Sequence, residues 1–309
     1  FMGPLKKYLV EILRKENFPF YALPLWSKEK GRFKFGMGLF FSFLLSLILF
    51  LLLRPQKVMV MGSYGSLPGG LAAYILRIPL YVHEQNVIPG RTNLFLSRLS
   101  QKIFLSFPET GSYFEGEKAV YAGMMVNSFP LKRENSSLPT LLILGGSQGS
   151  EFMNEKVSRI LCQIRPQGWR ILHLTGEKDY LKVKRIYDKW KIKAEVFPFQ
   201  YPMDRLYSQA TLSLTRGGAV TLSELYMWNI PSVVIPLKTR DSYHQKENAL
   251  WFQKKGGFWI VEEHQIVRLK RLLITLLSRP PSVENLSPRV TSGISPEEII
   301  CKEMGLRRK

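Results

Sequence analysis

The residues best suited to chemistry lie between Arg216 and Glu224, in the run Arg216-Gly217-Gly218-Ala219-Val220-Thr221-Leu222-Ser223-Glu224. An alternating stretch, Thr211 to Leu214, precedes it as a strand, and apolar spacing through Leu225, Tyr226 and Trp228 continues it as a helix. Paired glycines let the backbone approach a ligand closely, and a helix N-terminus presents unpaired N–H groups and partial positive charge to a phosphate. Two turns into that helix, Glu224 can span two neighbouring hydroxyls, so the run suits a nucleoside diphosphate with its ribose. The plain alternative is a strand-to-helix turn whose glycines only make room. Three further loops carry similar signals: Gly62 to Gly70, His83-Glu84-Gln85-Asn86-Val87-Ile88-Pro89-Gly90, and Gly145-Gly146-Ser147-Gln148-Gly149-Ser150.

Each of these loops follows a short apolar run. Lys57 to Met61, Leu80 to His83, Lys102 to Ser106 and Leu141 to Leu144 read as strands, with helical segments from Leu71, Thr92 and about Glu151. Strands alternating with helices predict parallel sheets that bind ligands beyond the carboxyl ends of their strands. The polar, Ser-rich segment Lys132 to Pro139 divides the chain into residues 1–131 and 140–309, two Rossmann-like α/β domains facing a cleft. A length of 309 residues suits two such domains. The start of the chain shows helical spacing at residues 5–16 and an extended apolar stretch from Phe18 to Leu25, but no obvious first strand.

Composition narrows the function. Lys and Arg number 44 against 24 Asp and Glu, a net charge of +20, which points to an anionic partner: nucleic acid, acidic lipid or a phosphorylated substrate. Without zinc-finger spacing or an RNA-binding aromatic signature, nucleic acid is the weakest of these. The two cysteines, Cys162 and Cys301, have no metal spacing and fit a reducing compartment; Cys162 reads as core. Lone His173 and His264 read as structural or surface residues, and His83 as either a substrate group or a strand-end histidine that fixes its loop. From Phe35 to Leu53 the chain carries no charge, while Lys28, Lys30, Arg32 and Lys34 precede it and Arg54 and Lys57 follow. Three placements fit: a helix held against one anionic leaflet, a true span, or a sandwiched core helix. Basic residues on both flanks favour the first, since they give no orientation for crossing.

The motifs HEQNVIPG at 83–90, GGSQGS at 145–150, RGGAVTLSE at 216–224 and the His244-Gln245 pair before Asn248-Ala249 stand in the order and spacing of the MurG family, which this chain resembles from about Gly62 to Leu277. The resemblance implies a GT-B fold and an inverting transfer of GlcNAc from UDP-GlcNAc to lipid I, giving lipid II for peptidoglycan, cell shape and division. It implies no cofactor or metal, and none of the Asp-x-Asp pairs that hold one occurs. For the donor it implies a phosphate-binding role for Ser147, and a helix terminus formed by Ala219, Val220, Thr221, Leu222 and Ser223. Glu224 would take the ribose hydroxyls, Gln245 and Asn86 the sugar, and Gln200 would lie near uracil. Ser63, Tyr64, Gly65, His83 and Glu84 fall on the side assigned to the lipid acceptor. The implied partners are UDP-GlcNAc, lipid I, an anionic membrane surface on the cytoplasmic face, and cell-wall synthesis proteins.

Two departures bear on activity. The family's GGTGGH-type first loop, whose histidine acts as or positions the base, has no counterpart before Phe35, so the expectation is a chain that has lost its beginning and a catalytic base not assigned, with His83 the first candidate. Where the family has a GNPVR-like linker, this chain reads Gly123-Met124-Met125-Val126-Asn127 and offers no arginine. Diphosphate charge then falls to backbone dipoles, Ser147 or another cation, and Arg216 and Lys238 are near in sequence. The competing functions are a membrane-bound scaffold that keeps UDP-GlcNAc without chemistry, and a transferase for a different lipid-linked acceptor.

Overall fold

The computed structural model describes residues 1–26, 31–126, 133–134, 138–146, 149–238, 243–281 and 294–306. It divides into two units, Phe1–Met125 with Ile294–Lys309, and Val126–Gly293.

The first unit opens with β1 (Met2–Pro4), α1 (Lys7–Lys15) and β2 (Tyr21–Leu23); β1 and β2 pair in parallel as a two-stranded sheet. A first strand therefore exists where the sequence showed none, because three residues are too few for a period-two signal. Helix α2 (Arg32–Leu53) leads into β3 (Val58–Val60), α3 (Leu67–Ile75), β4 (Leu80–Glu84), α4 (Arg91–Ser97), β5 (Lys102–Leu105) and β6 (Ala119–Tyr121). The strands pair in parallel in the order β3-β4-β5-β6. All five residues of β4 are buried, as a strand covered on both faces requires.

Helix α2 buries a stripe at i, i+4 spacing, Gly38, Ser42, Ser46 and Phe50. Phe50, Phe43 and Leu47 pack with Ala72 and Ala73 of α3, and small residues on both helices let the backbones come close. A Cβ on Gly38 would stand 2.8 Å from the Pro24 carbonyl, so the segment before α2 packs on it too. Only 22% of the most apolar window is buried, and Phe33 and Leu52 are 78% and 75% exposed, so α2 is not a sandwiched core helix.

In the second unit β7 (Thr140–Leu144) enters a π-helical turn, Phe152–Val157, that continues as α5 (Ser158–Ile164). Then follow β8 (Arg170–Leu174), α6 (Tyr180–Lys189), β9 (Ala194–Phe197), α7 (Asp204–Tyr207), β10 (Leu212–Thr215), α8 (Ala219–Met227), β11 (Ser232–Val234), α9 (His244–Gln253), β12 (Phe258–Ile260) and α10 (Ile266–Ser278). The parallel order is β12-β11-β10-β7-β8-β9. Growth runs outward from β7 to β9, then resumes at β10 on the other side of β7. The order in which strands are added thus reverses between the parallel neighbours β7 and β10, and their carboxyl ends form the crevice where such sheets bind ligands. His173 is buried here against Tyr187 (3.0 Å), Cys162 is in the core, and His264 is exposed.

The chain returns to the first unit in α11 (Pro296–Glu303), started by a capping box between Ser295 and Glu298. Ile300 and Met304 pack with Tyr81 and Phe104. Lys57 donates to the Met304 carbonyl, and Lys102 pairs with Glu303. The division at 131 and 140 places these residues with the second domain, whereas their apolar face is covered by the first sheet.

Candidate functional site

The carboxyl ends of β7 and β10 open onto a cavity of about 740 Å³. Glycines line its walls at Gly145, Gly146, Gly149 and Gly218, and Thr221 adds a side chain from the first turn of α8. Gly149 has φ +76°, and a Cβ there would come within 2.1 Å of the Thr175 carbonyl. A Cβ on Gly217 would stand 2.2 Å from the Gln245 carbonyl. Both positions therefore require glycine.

Gly218 caps α8 without a side-chain hydrogen bond. The first-turn N–H groups have no partner within the helix and carry its positive dipole end. Of the run 219–223, Thr221 lines the cavity; Ala219, Leu222 and Ser223 are buried, and Val220 is exposed. Glu224 accepts a 2.7 Å hydrogen bond from the Tyr207 hydroxyl through Oε2. Burial raises its pKa, with the Tyr207 bond pulling the other way. It is not among the lining residues.

Gln245 has a defined orientation. Its Oε1 accepts from the N–H of Gly217 (3.1 Å) and of Leu237 (3.0 Å), so the NH₂ is the end left for a ligand in the cavity it lines. Asn248 steadies the same turn by donating to the Gly217 carbonyl at 3.1 Å.

Beneath the glycines lies Arg216, buried at 8% exposure. Its Nε and Nη2 donate to Ser150 Oγ (2.9 and 2.6 Å), Nη1 donates to the Ile235 carbonyl (2.9 Å), and Nη2 pairs with Glu263 (2.6 Å). The Phe152 ring lies 5.5 Å from the guanidinium carbon. Burial lowers the pKa and Glu263 opposes that; a guanidinium stays charged through such a shift. Ser150, Phe152 and Glu263 were not singled out in the sequence. Ser150 closes a recognised motif, whereas Glu263 has only its place after a strand to mark it.

Ser147 and Asn127 lie outside the described residues. Gln200 donates to the Pro202 carbonyl (3.1 Å) and lines a separate pocket of about 40 Å³ with Arg170 and Arg205, not the cavity at β7 and β10.

In the first unit, Glu84 sits buried at the end of β4. Oε1 accepts from the backbone N–H and side-chain Nδ2 of Asn86 (2.9 and 3.1 Å), and Oε2 from Gly90 N–H (3.0 Å) and Asn93 Nδ2 (2.8 Å). Thr110 adds bonds to the Asn86 and Val87 carbonyls. Glu84 thus holds its own loop together, and the Nδ2 of Asn86 is engaged in that. His83 is fully buried, 3.3 Å from Ser106 Oγ, with its pKa lowered to about 4 by burial. Here it is a neutral strand-end group that fixes the neighbouring strand. After β3, Ser63 has φ 64° and is exposed, the Tyr64 ring meets Phe35 edge-on at 5.3 Å, and Gly65 lies against Leu25 and Pro4.

A family model described as the glycosyltransferase family 28 C-terminal domain matches residues 140–291, and one for the family 28 N-terminal domain matches residues 6–105. The UDP-N-acetylglucosamine--N-acetylmuramyl-(pentapeptide) pyrophosphoryl-undecaprenol N-acetylglucosamine transferase of Wolbachia sp. subsp. Brugia malayi (strain TRS) is 32% identical over 288 residues, covering 89% of this chain and 83% of that protein. The enzyme of the same name from Thermosipho africanus (strain TCF52B) is 35% identical over 216 residues, 69% of this chain and 61% of that protein. Among solved structures, Acinetobacter baumannii MurG superposes with a TM-score of 0.67 at 25% identity, covering 99% of this chain and 89% of that one.

Proposed function

The chain belongs to glycosyltransferase family 28, among the MurG enzymes with their GT-B fold, and on that premise we propose that it transfers GlcNAc from UDP-GlcNAc to lipid I, forming lipid II with inversion at the anomeric carbon. The observation that carries the donor half is the cavity at the strand-order reversal, walled by two glycine turns and the uncapped start of α8. Departure of UDP leaves charge on a diphosphate, and fixed N–H dipoles stabilise such charge without reorganising and without a metal or cofactor. The Gln245 NH₂ offers a donor to the sugar, and Glu224 the acceptor for ribose hydroxyls. His83, buried beside Ser106, is the first candidate for the acceptor's proton, and its burial speaks for a structural role.

The test is transfer of labelled GlcNAc to a lipid I analogue, with calorimetric titration of UDP. Glu224→Ala should weaken UDP by about one to two decades, the worth of a hydrogen bond to a charged group. Transfer would bear out the enzymatic reading, UDP bound without any transfer would favour the scaffold that keeps UDP-GlcNAc without chemistry, and unchanged affinity in the variant would remove the ribose role.

The same reading places the protein on the cytoplasmic face of the cell membrane through α2, with the lipid acceptor handled by the first unit. Exposed Phe33, Phe40, Ile48, Leu51 and Leu52 supply apolar area, and Arg32, Lys34 and Arg54 supply charge, at about 1 kcal/mol for each basic residue near an anionic leaflet. Crossing would pull β1, α1 and β2 from the unit on which they pack. Cysteines placed on either flank of α2 should label only from the cytoplasmic side; labelling from opposite sides would establish a span.

A further inference from the structure

Arg216 is more buried than a cation is kept without a reason, and its partners are spread in an informative way. They lie on the loop after β7 (Ser150), the end of β11 (Ile235) and the segment after β12 (Glu263), while Arg216 itself ends β10. One planar fork thus spans the carboxyl ends of four strands. An ammonium, a single point of charge, has no geometry to do the same. Had the sole role been to satisfy a stray carboxylate, Glu263 alone would serve.

We infer that Arg216 is a positioning residue for the diphosphate: it ties the turn that carries Gly149 and Ser150 to the one that carries Gly217 and Gly218, fixing the distance from the Ser150 hydroxyl to the first-turn N–H groups of α8. A second effect follows at Ser150. Its oxygen takes donors from both Nε and Nη2, which occupies its lone pairs and leaves its hydroxyl only a proton to offer. Ser150 lines the cavity, so Arg216 converts an amphoteric hydroxyl into a donor, the polarity an anion needs. Glu263 lines the same cavity and pairs with the Nη2 that also reaches Ser150, balancing the guanidinium charge. The diphosphate part of this inference rests on the donor reading above; the tie between the turns does not.

The experiment uses the full chain with Arg216→Lys, Ser150→Ala and the double variant. Hydrogen exchange of peptides spanning the two glycine turns reads the tie, and calorimetry with UDP and with uridine reads its use. Exchange in both turns should accelerate together in either single variant. UDP affinity should fall about ten-fold to a hundred-fold, as for a lost charge-assisted bond, and uridine affinity by less than about three-fold. The double variant should lose no more than the worse single, because both break one connection. Should Arg216→Lys fail to fold, Ser150→Ala carries the test alone. Unchanged exchange in the turns overturns the tie, and equal losses for UDP and uridine overturn its diphosphate role. A wild-type chain that binds no UDP, with turns that still respond to the variants, refutes the donor reading and leaves the tie standing.

Discussion

The loop after β4 and the turns around β10 begin alike, as a parallel strand ending in a motif rich in polar groups and glycine, yet they are wired with opposite polarity. In the first a buried carboxylate, Glu84, gathers N–H donors: two from Asn86, one from Gly90 and one from Asn93. In the second a buried guanidinium, Arg216, gathers acceptors: a hydroxyl, a carbonyl and a carboxylate. An anionic hub consumes the donors of its loop and closes it. A cationic hub consumes acceptors and leaves the first-turn N–H groups of α8 unused. The sign of the buried charge therefore separates a self-contained loop from one prepared for an anion.

The strongest way to break this contrast is to delete the anionic hub. Glu84→Ala strands several buried donors at once and should cost about 3–5 kcal/mol in urea unfolding. A cost under about 1 kcal/mol would mean that the loop does not depend on its carboxylate. A smaller and sharper test exchanges one atom in the second unit. Gln245→Glu keeps an oxygen for the N–H groups of Gly217 and Leu237 but replaces the NH₂ with a second oxygen. UDP-GlcNAc affinity should fall by about 1.5–3 kcal/mol in calorimetry while stability changes by less than about 0.5 kcal/mol. Retained affinity would show that the donor end of Gln245 faces no ligand.

A graded test is acid, because each unit carries a neutral buried histidine on one of its strands, His83 on β4 and His173 on β8. His83 is lowered from 6.5 to about 4, and His173 to about 3, both by burial. Below 6.5 the unfolded chain binds protons that these folded imidazoles refuse, so stability is full above 6.5 and is lost as pH falls. The slope is about 1.4 kcal/mol per pH unit for each histidine. The loss from His83 levels off near pH 4, and that from His173 continues to near pH 3. Both losses begin below 6.5, so His83→Gln or His173→Gln should each halve the slope contributed there by the pair, and His173→Gln should in addition flatten the curve between about pH 4 and 3.

Much of this was legible beforehand. Runs such as Leu141–Leu144, buried on both faces, announce parallel strands, and the glycines at 145–149 and 217–218 mark the turns that open onto the cavity. Orientation was not legible. HEQN reads as a ligand motif, and only the geometry reveals that its glutamate is spent on its own loop. Arg216 was visible as a nearby cation, but its partners Ser150, Ile235 and Glu263 lie up to 66 residues away and meet only through sheet order. Gln200 is a further case: the resemblance sets its backbone near uracil, and the structure adds that its side chain donates to the Pro202 carbonyl. The address of α11 was equally silent: an amphipathic helix with a good cap does not say which sheet will cover it.

That address has a consequence for biosynthesis. Residues 126–293 form a unit continuous in sequence, whereas the first unit is completed only by the segment from Ile294. On the ribosome, the sheet bearing Tyr81 and Phe104 emerges early and waits through the translation of the whole second unit before Ile300 and Met304 can cover those rings. Domains usually mature in the order in which they are translated. Here the first to be made is the last to be finished, and its nascent form must keep an apolar face from aggregating in the meantime.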